Sequence, residues 1–200
     1  MFANFYFKIP RRIRILVILL IVALIIFFVI RFLAVEPKNV PSDFLKARQE
    51  ASSIAADIVK LSDDSVKQVD EISQLDQDKK YTEALQITSQ ELERNREARQ
   101  KAIDLSTDLQ TMAQNIAQIS PQAAGQRALE AVTAETTLIS RLITYNDYLS
   151  QLLDALRAKF LGKGDGNQIS DLVNKLNNEA SAINDLNRKF NDAMKEFDAK

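Results

Sequence analysis

The stretch ISDLVNKLNNEASAINDLNRKFNDAMKEF, residues 169–197, decides the fold. Apolar and small side chains recur along it at alternating spacings of three and four residues, which is the pattern of an amphipathic α-helix with one buried face. Such a helix must cover that face with other helices, so the stretch predicts a helical domain. The predicted stripe consists of Ile169, Val173, Leu176, Ala180, Ile183, Asn187, Phe190, Met194 and Phe197.

Three further stretches with helical periodicity precede this one, and short breaks separate them. Residues 76–80 are polar, Ser120 and Pro121 combine a capping residue with a favoured first helical residue, and residues 162–167 are rich in glycine. Long helices joined by short turns predict an all-α fold, an elongated antiparallel four-helix bundle with coiled-coil-like packing over residues 42–200. The predicted helices are residues 43–75, 79–119, 121–161 and 167–198.

The N-terminal part of the chain has a different character. Residues 15–30, ILVILLIVALIIFFVI, contain no charged side chain, and Arg14 and Arg31 lie close to the ends of the longer apolar segment 13–35. As a helix this segment is about 34 Å long, enough to cross a hydrocarbon core of about 30 Å. The segment predicts an uncleaved transmembrane signal-anchor, because its apolar part is too long for a cleaved signal peptide.

The charges beside the anchor predict its orientation. No acidic residue precedes Glu36, so the positive-inside rule predicts a cytoplasmic tail at residues 1–12, a proline-containing linker at 36–41 and an extracytoplasmic domain after it. We therefore expect a single-pass membrane protein in contact with the lipid bilayer. The chain has no N-x-[ST] sequon, which favours a bacterial cell envelope. The basic residues that flank the membrane are Lys8, Arg11, Arg12, Arg14 and Arg31.

Composition narrows the classes of function. The first 35 residues hold five of the 26 basic residues and none of the 27 acidic ones, so the remainder carries a net charge of −6, which disfavours nucleic acid as a partner. The chain has neither cysteine nor histidine, which removes thiolate metal ligands, the commonest general base and the commonest transition-metal ligand. The sequence predicts no enzyme, no catalytic residue, no metal site and no cofactor.

Three asparagines, Asn95, Asn146 and Asn187, occupy positions where the stripes call for an apolar side chain. In a hairpin that turns between residues 120 and 121, Asn95 and Asn146 lie level, and the next hairpin places Asn187 about one helical turn away. The spacing therefore predicts a polar layer in the middle of the bundle. Two interpretations remain open: a structural layer that fixes helix register, and a site for a small polar ligand.

The middle of the predicted second helix is highly charged. Residues 91–101, ELERNREARQK, offer only Leu92 and Ala98 for burial. One interpretation is a solvated face with local ion pairs, and the other is a surface on which a partner docks. The predicted docking surface consists of Glu91, Arg94, Arg96, Arg99 and Lys101.

These observations predict a membrane-anchored binding or scaffolding module of the cell envelope, which acts through a protein partner or as a homo-oligomer. A sensory or small-solute-binding bundle that uses the asparagine layer is the alternative hypothesis. A self-assembling structural element is the third. The sequence does not name the partner, the ligand or the process.

Overall fold

The computed structural model describes residues 38–199. Four long α-helices and one 3-10 turn (Ile116–Gln118) make up the regular structure of this part, which contains no β-strand. The prediction of an all-helical domain with four helices is confirmed, and the helix ends differ from the predicted ones by at most a few residues. The helices are α1 (Ser42–Gln77), α2 (Tyr81–Asn115), α3 (Gln122–Phe160) and α4 (Gly166–Ala199).

The predicted tail, anchor and flanking cations lie outside the described residues. They comprise residues 1–12, residues 13–35 and the five basic side chains Lys8, Arg11, Arg12, Arg14 and Arg31. Within residues 38–199, no helix combines the length and the hydropathy that a membrane span requires.

Two of the helices end in the same backbone motif. After α1 the amide of Lys80 donates to the carbonyl of Leu75, and after α3 the amide of Lys163 donates to the carbonyl of Ala158. Both are the six-to-one hydrogen bonds of a Schellman turn, which needs a residue with positive φ. Gly162 supplies it after α3 with φ of 74°, whereas a lysine, Lys79, supplies it after α1 with φ of 58°.

Consecutive helices pack against one another as antiparallel hairpins. The first and last helices meet at the end where the chain leads in at Lys38, which we call the near end. There the rings of Phe44 and Phe197 lie 5.7 Å apart, and both carboxylate oxygens of Asp198 accept hydrogen bonds from Arg48, at 2.8 and 2.7 Å. Away from this end the backbones of α1 and α4 do not pack closely.

The near end also holds the chain segment that leads into α1. The backbone of Asn39 exchanges two hydrogen bonds with that of Ser120, at 2.9 and 3.0 Å, and the Lys38 ammonium donates to the carbonyl of Phe197. The segment, the turn between α2 and α3 and the end of α4 are therefore joined at one end of the domain. This is the result of an even number of antiparallel helices.

The core consists of two apolar clusters with buried polar side chains between them. The near-end cluster is built around Phe44, Leu105 and Phe197, and the far-end cluster around Ile72 and Leu153. The stretches of helix that link the clusters carry buried polar residues, which we call the polar mid-section. Its members are Ser65, Thr88, Glu91, Asn95, Asn146 and Glu179.

The buried face of α4 differs from the predicted stripe by about one residue. Val173 and Asn187 are exposed, whereas Leu172 and Ala193 are buried. Leu129 of α3, although apolar, is also half exposed, at 52%. Because α4 packs mainly against α3, the side chains turned toward α3 are buried and those turned toward α1 are not.

Candidate functional site

The structure changes the interpretation of the charged stretch of α2. Glu91, predicted to lie on a docking surface, is fully buried. The buried positions of α2 continue through the stretch at spacings of three and four, because polar residues occupy core positions there. These positions are Ala84, Thr88, Glu91, Asn95, Ala98 and Ala102.

The cations of the predicted surface are paired within the chain. Arg94 contacts the buried Glu91 at 2.6 Å, and Arg96 pairs with an exposed glutamate three residues before it. Arg99 reaches Asp147 of α3 at 3.3 Å. The positive charge of this stretch is therefore balanced inside the domain, which weakens the case for a docking surface there.

Lys101, the last residue of the predicted surface, bridges α2 and α1. Its ammonium donates to a carboxylate oxygen of Asp57 at 2.8 Å. This hydrogen bond, together with the charge of Lys101, lowers the pKa of Asp57, and the same contact raises the pKa of Lys101. This contact joins α2 to α1.

The structure brings two of the three predicted asparagines together. The side-chain amide of Asn95 donates to the backbone carbonyl of Asn146 at 2.7 Å, and both residues are buried. The Oδ1 atom of Asn95 is buried without a hydrogen-bond partner among the described residues. Asn187 is exposed, and its Oδ1 accepts a hydrogen bond from Asn191 at 3.0 Å. The polar layer therefore contains Asn95 and Asn146, and Asn187 lies outside it.

Three glutamates, Glu91, Glu135 and Glu179, are buried, although the sequence predicts a buried position for none of them. The periodicity could have found them. Glu135 lies three residues before Leu138, and Glu179 lies three residues after Leu176, so both continue a stripe of three-and-four spacings. Glutamate is usually exposed to solvent, so these positions are not recognised as part of the buried stripe from residue type alone.

Two of these glutamates have partners. Glu91 accepts a hydrogen bond from the hydroxyl of Ser65 as well as the ion pair with Arg94. Both carboxylate oxygens of Glu179 contact Arg141, at 3.1 and 3.3 Å. Buried carboxylates with such partners are what a folded domain tolerates, because hydrogen bonds and opposite charge offset the loss of water.

Glu135 differs from the other two. Only 7% of its surface is exposed, and among residues 38–199 its carboxylate makes neither a hydrogen bond nor an ion pair. Burial, which disfavours the charged form, raises the pKa of Glu135 from 4.5 to about 7. A buried acid without a protein partner, placed in a cavity, is a standard indication of a binding site.

The cavity at Glu135 belongs to a series of three grooves between α1 and α4, which we call the α1–α4 seam. The near-end groove has a volume of about 570 Å³, the middle groove about 320 Å³ and the far-end groove about 150 Å³. The near-end and middle grooves share four residues, Ala55, Leu105, Glu135 and Asn187. The seam exists because the backbones of α1 and α4 stay apart beyond the near end.

The seam has an apolar floor and a polar rim. The floor is formed by side chains of α2 and α3, and Glu135 is the carboxylate at its centre. At the rim, Arg48 is paired with Asp198, whereas Asp63 and Lys195 make no ion pair among the described residues. The apolar floor residues are Leu105, Leu109, Met112, Leu138 and Leu142.

The predicted pair of Asn95 and Asn146 does not line the grooves of the seam. In the part of the chain that the structure describes, no group of three acidic, histidine or cysteine side chains is placed to hold a metal ion. The seam is therefore the candidate functional site. In comparisons with protein-family models, with curated proteins and with solved structures, the chain gives no match.

Proposed function

We propose that the protein is a membrane-anchored binding module of the cell envelope, whose four-helix bundle receives a helix of a protein partner along the α1–α4 seam. The observation that carries the proposal is the open seam itself. Two helices that close a bundle normally pack along their whole length, whereas here α1 and α4 leave grooves that lie over the apolar core. The proposal moves the docking surface from the middle of α2 to the seam.

The dimensions of the seam suit a helix. Residues of α1 from Arg48 to Asp70 line the three grooves, which corresponds to about 33 Å along the helix axis. An amphipathic helix of about 20 residues has this length and buries its apolar face in such a groove.

One wall of the seam carries unpartnered apolar side chains. Val59 and Val66 of α1 are 60% and 53% exposed, and each lines a groove of the seam. They lie seven residues apart, as Leu45 and Ser52 do, so these four positions share one face of α1. This face would cover apolar side chains of a docked helix.

The charge of the seam indicates the chemistry of the partner. Glu135 lies on the floor, and Asp63 and Asp70 lie at the rim without ion pairs among residues 38–199. Lys195 is the opposing free cation of the near-end groove. An apolar stripe flanked by lysine or arginine complements this surface best.

The proposed location rests on the apolar segment 13–35 and the basic residues before it. Because the chain has no cysteine, single-cysteine variants report topology without background. We expect a membrane-impermeant maleimide to label Ala199→Cys in intact spheroplasts and to label Ala3→Cys only after lysis. The reverse labelling pattern would show the opposite orientation. Release of the protein from washed membranes would contradict the proposed anchor.

In-cell photocrosslinking tests the docking surface. A photoreactive amino acid at Val59 or Val66 should give one adduct of the same mass, identified by mass spectrometry, whereas the same amino acid at the exposed position Gln90 of α2 should not. Equal crosslinking from Gln90 would count against the seam. An adduct at twice the mass of the chain would favour the third hypothesis, self-assembly.

A second candidate function has its own supporting observation. The near-end groove, at about 570 Å³, falls within the range of about 300–1,000 Å³ typical of small-molecule sites, and it contains the unpartnered Glu135. Asn187, one of the predicted ligand residues, lines the same groove. We therefore keep solute binding as the alternative, now centred on Glu135 and no longer on the Asn95 and Asn146 pair.

A further inference from the structure

The near-end groove contains one buried ionisable side chain without a partner, and the residues around it show which ligand would suit it. Glu135 lies where the near-end and middle grooves meet. The residue is more than nine-tenths buried and lines both grooves. A ligand bound in the seam could therefore contact Glu135.

The walls around Glu135 are apolar and soft. Leu105, Leu109 and Met112 of α2 face Phe190 and Met194 of α4 across the groove. Methionine side chains adapt to irregular apolar shapes, and the aromatic ring offers a face to a cation. These side chains can pack against the apolar part of an organic ligand, but they offer no hydrogen-bond partner to a polar group.

The charged side chains of the near-end groove leave Glu135 without a protein cation. Arg48 is held by both carboxylate oxygens of Asp198, and Lys195 is exposed and makes no ion pair with Glu135. Asp63 of the middle groove adds negative charge near the same junction. The groove therefore lacks a positive charge that would balance the Glu135 carboxylate.

We infer that the near-end groove is a binding site for an organic amine, whose ammonium pairs with Glu135 and whose apolar body lies between Leu105, Met112 and Phe190. This inference rests on the second proposed function and names its ligand class. An anion would meet the carboxylate with like charge, and a neutral ligand would leave the negative charge of Glu135 unbalanced. An ammonium supplies up to three hydrogen-bond donors and the missing charge in one group.

The test uses three probes with the same apolar body: 4-phenylbutylamine, 4-phenylbutanol and 4-phenylbutyrate. Binding to the full-length protein in nanodiscs is measured by titration calorimetry at pH 8, with empty nanodiscs subtracted. We expect the amine to bind at least about tenfold more tightly than the alcohol, because the ammonium balances the charge of the buried carboxylate, whereas the alcohol donates a hydrogen bond and leaves that charge unbalanced. The butyrate should not bind.

Two variants and a control locate the site. Glu135→Gln preserves the shape of the side chain and should weaken amine binding at least about tenfold. Ala55→Leu places extra volume at the junction of the two grooves and should abolish binding while leaving Glu135 in place. Glu71→Gln removes an exposed carboxylate elsewhere on α1 and should leave the affinity unchanged.

The pH dependence gives an independent readout. Amine affinity should rise from pH 5 to pH 8 as Glu135 ionises, because burial raises its pKa to about 7. The other charged groups of the two grooves are Arg48, Asp63, Lys195 and Asp198. The rise should disappear in Glu135→Gln, which retains all four of them.

Each result decides between the proposals. Amine binding that is lost in Glu135→Gln and Ala55→Leu supports the inference. No amine binding, or equal binding to Glu135→Gln, overturns it. If the alcohol or the butyrate binds as tightly as the amine, the ligand class is wrong but solute binding in the seam stands. Partner docking is judged separately by the crosslinks from Val59 and Val66.

Discussion

Glu135→Gln should remove a loss of folding stability that occurs as the pH rises. In the wild-type protein the pKa of Glu135 is about 7 in the folded state, because the carboxylate is buried without a partner, against 4.5 in an exposed setting. A raised acid pKa means that the folded state holds the proton more tightly than the unfolded state. The contribution of Glu135 to stability is therefore complete below pH 4.5 and is lost as the pH rises through about 7.

The size of the effect follows from the same values. A pKa that rises from 4.5 to about 7, at about 1.36 kcal/mol per pH unit, corresponds to about 3 kcal/mol. Glutamine does not titrate, so the free energy of unfolding of the wild type relative to Glu135→Gln should fall by about this amount between pH 4.5 and pH 8. Because the two proteins share all other titrating groups, the contributions of those groups cancel in the difference between the two free energies of unfolding.

The assay is urea denaturation of the full-length protein in detergent micelles, followed by far-ultraviolet circular dichroism at a series of pH values. Glu71→Gln, which removes an exposed carboxylate of α1, measures the general effect of one lost negative charge. A wild-type minus Glu135→Gln difference that stays constant within about 0.5 kcal/mol would refute the reasoning. It would mean that water or another group compensates the carboxylate in the seam.

Four further substitutions test the energetics of the fold by the same urea assay. Arg94→Ala should cost about 2 kcal/mol, because it leaves the buried Glu91 without its cation, whereas Arg96→Ala removes an exposed pair and should cost less than about 0.5 kcal/mol. Equal costs would contradict the burial of Glu91. Lys79→Gly should raise the free energy of unfolding by about 0.5–1 kcal/mol, since glycine adopts the positive φ there without strain. A lower free energy of unfolding would contradict the positive φ at this position. Asn95→Leu should stabilise by about 1 kcal/mol by removing the unpartnered Oδ1, and a loss would assign the asparagine a larger structural role.

Most of the architecture followed from local pattern. The three-and-four spacing of apolar residues and the breaks at residues 76–80, 120–121 and 162–167 predict four helices, and the structure has four helices close to those bounds. The level placement of Asn95 and Asn146 also followed from counting residues away from a turn, and their hydrogen bond is present. Helix formation and hairpin register depend on neighbouring residues, which a single sequence contains.

The errors came from inferring burial from residue type. Glu91 lies in a charged stretch, so its carboxylate was interpreted as exposed, whereas a serine of α1 and the arginine one turn later allow it to be buried. Glu135 was missed for the same reason, although it continues the stripe that leads to Leu138. Burial of an acid depends on which side chains face it from other helices, and periodicity does not contain that information.

The sequence by itself determined that residues 42–199 form four helices, where those helices turn, and which side of each helix carries apolar residues. Tertiary structure decided how each helix is rotated against its neighbours. Because α4 packs on α3 and stays apart from α1, Asn187 faces the seam instead of the asparagine pair, and the seam remains open above Glu135. The physical reason is range: backbone hydrogen bonds fix a helix within four residues along the chain, whereas its rotation is fixed by side-chain packing between helices that are distant in sequence.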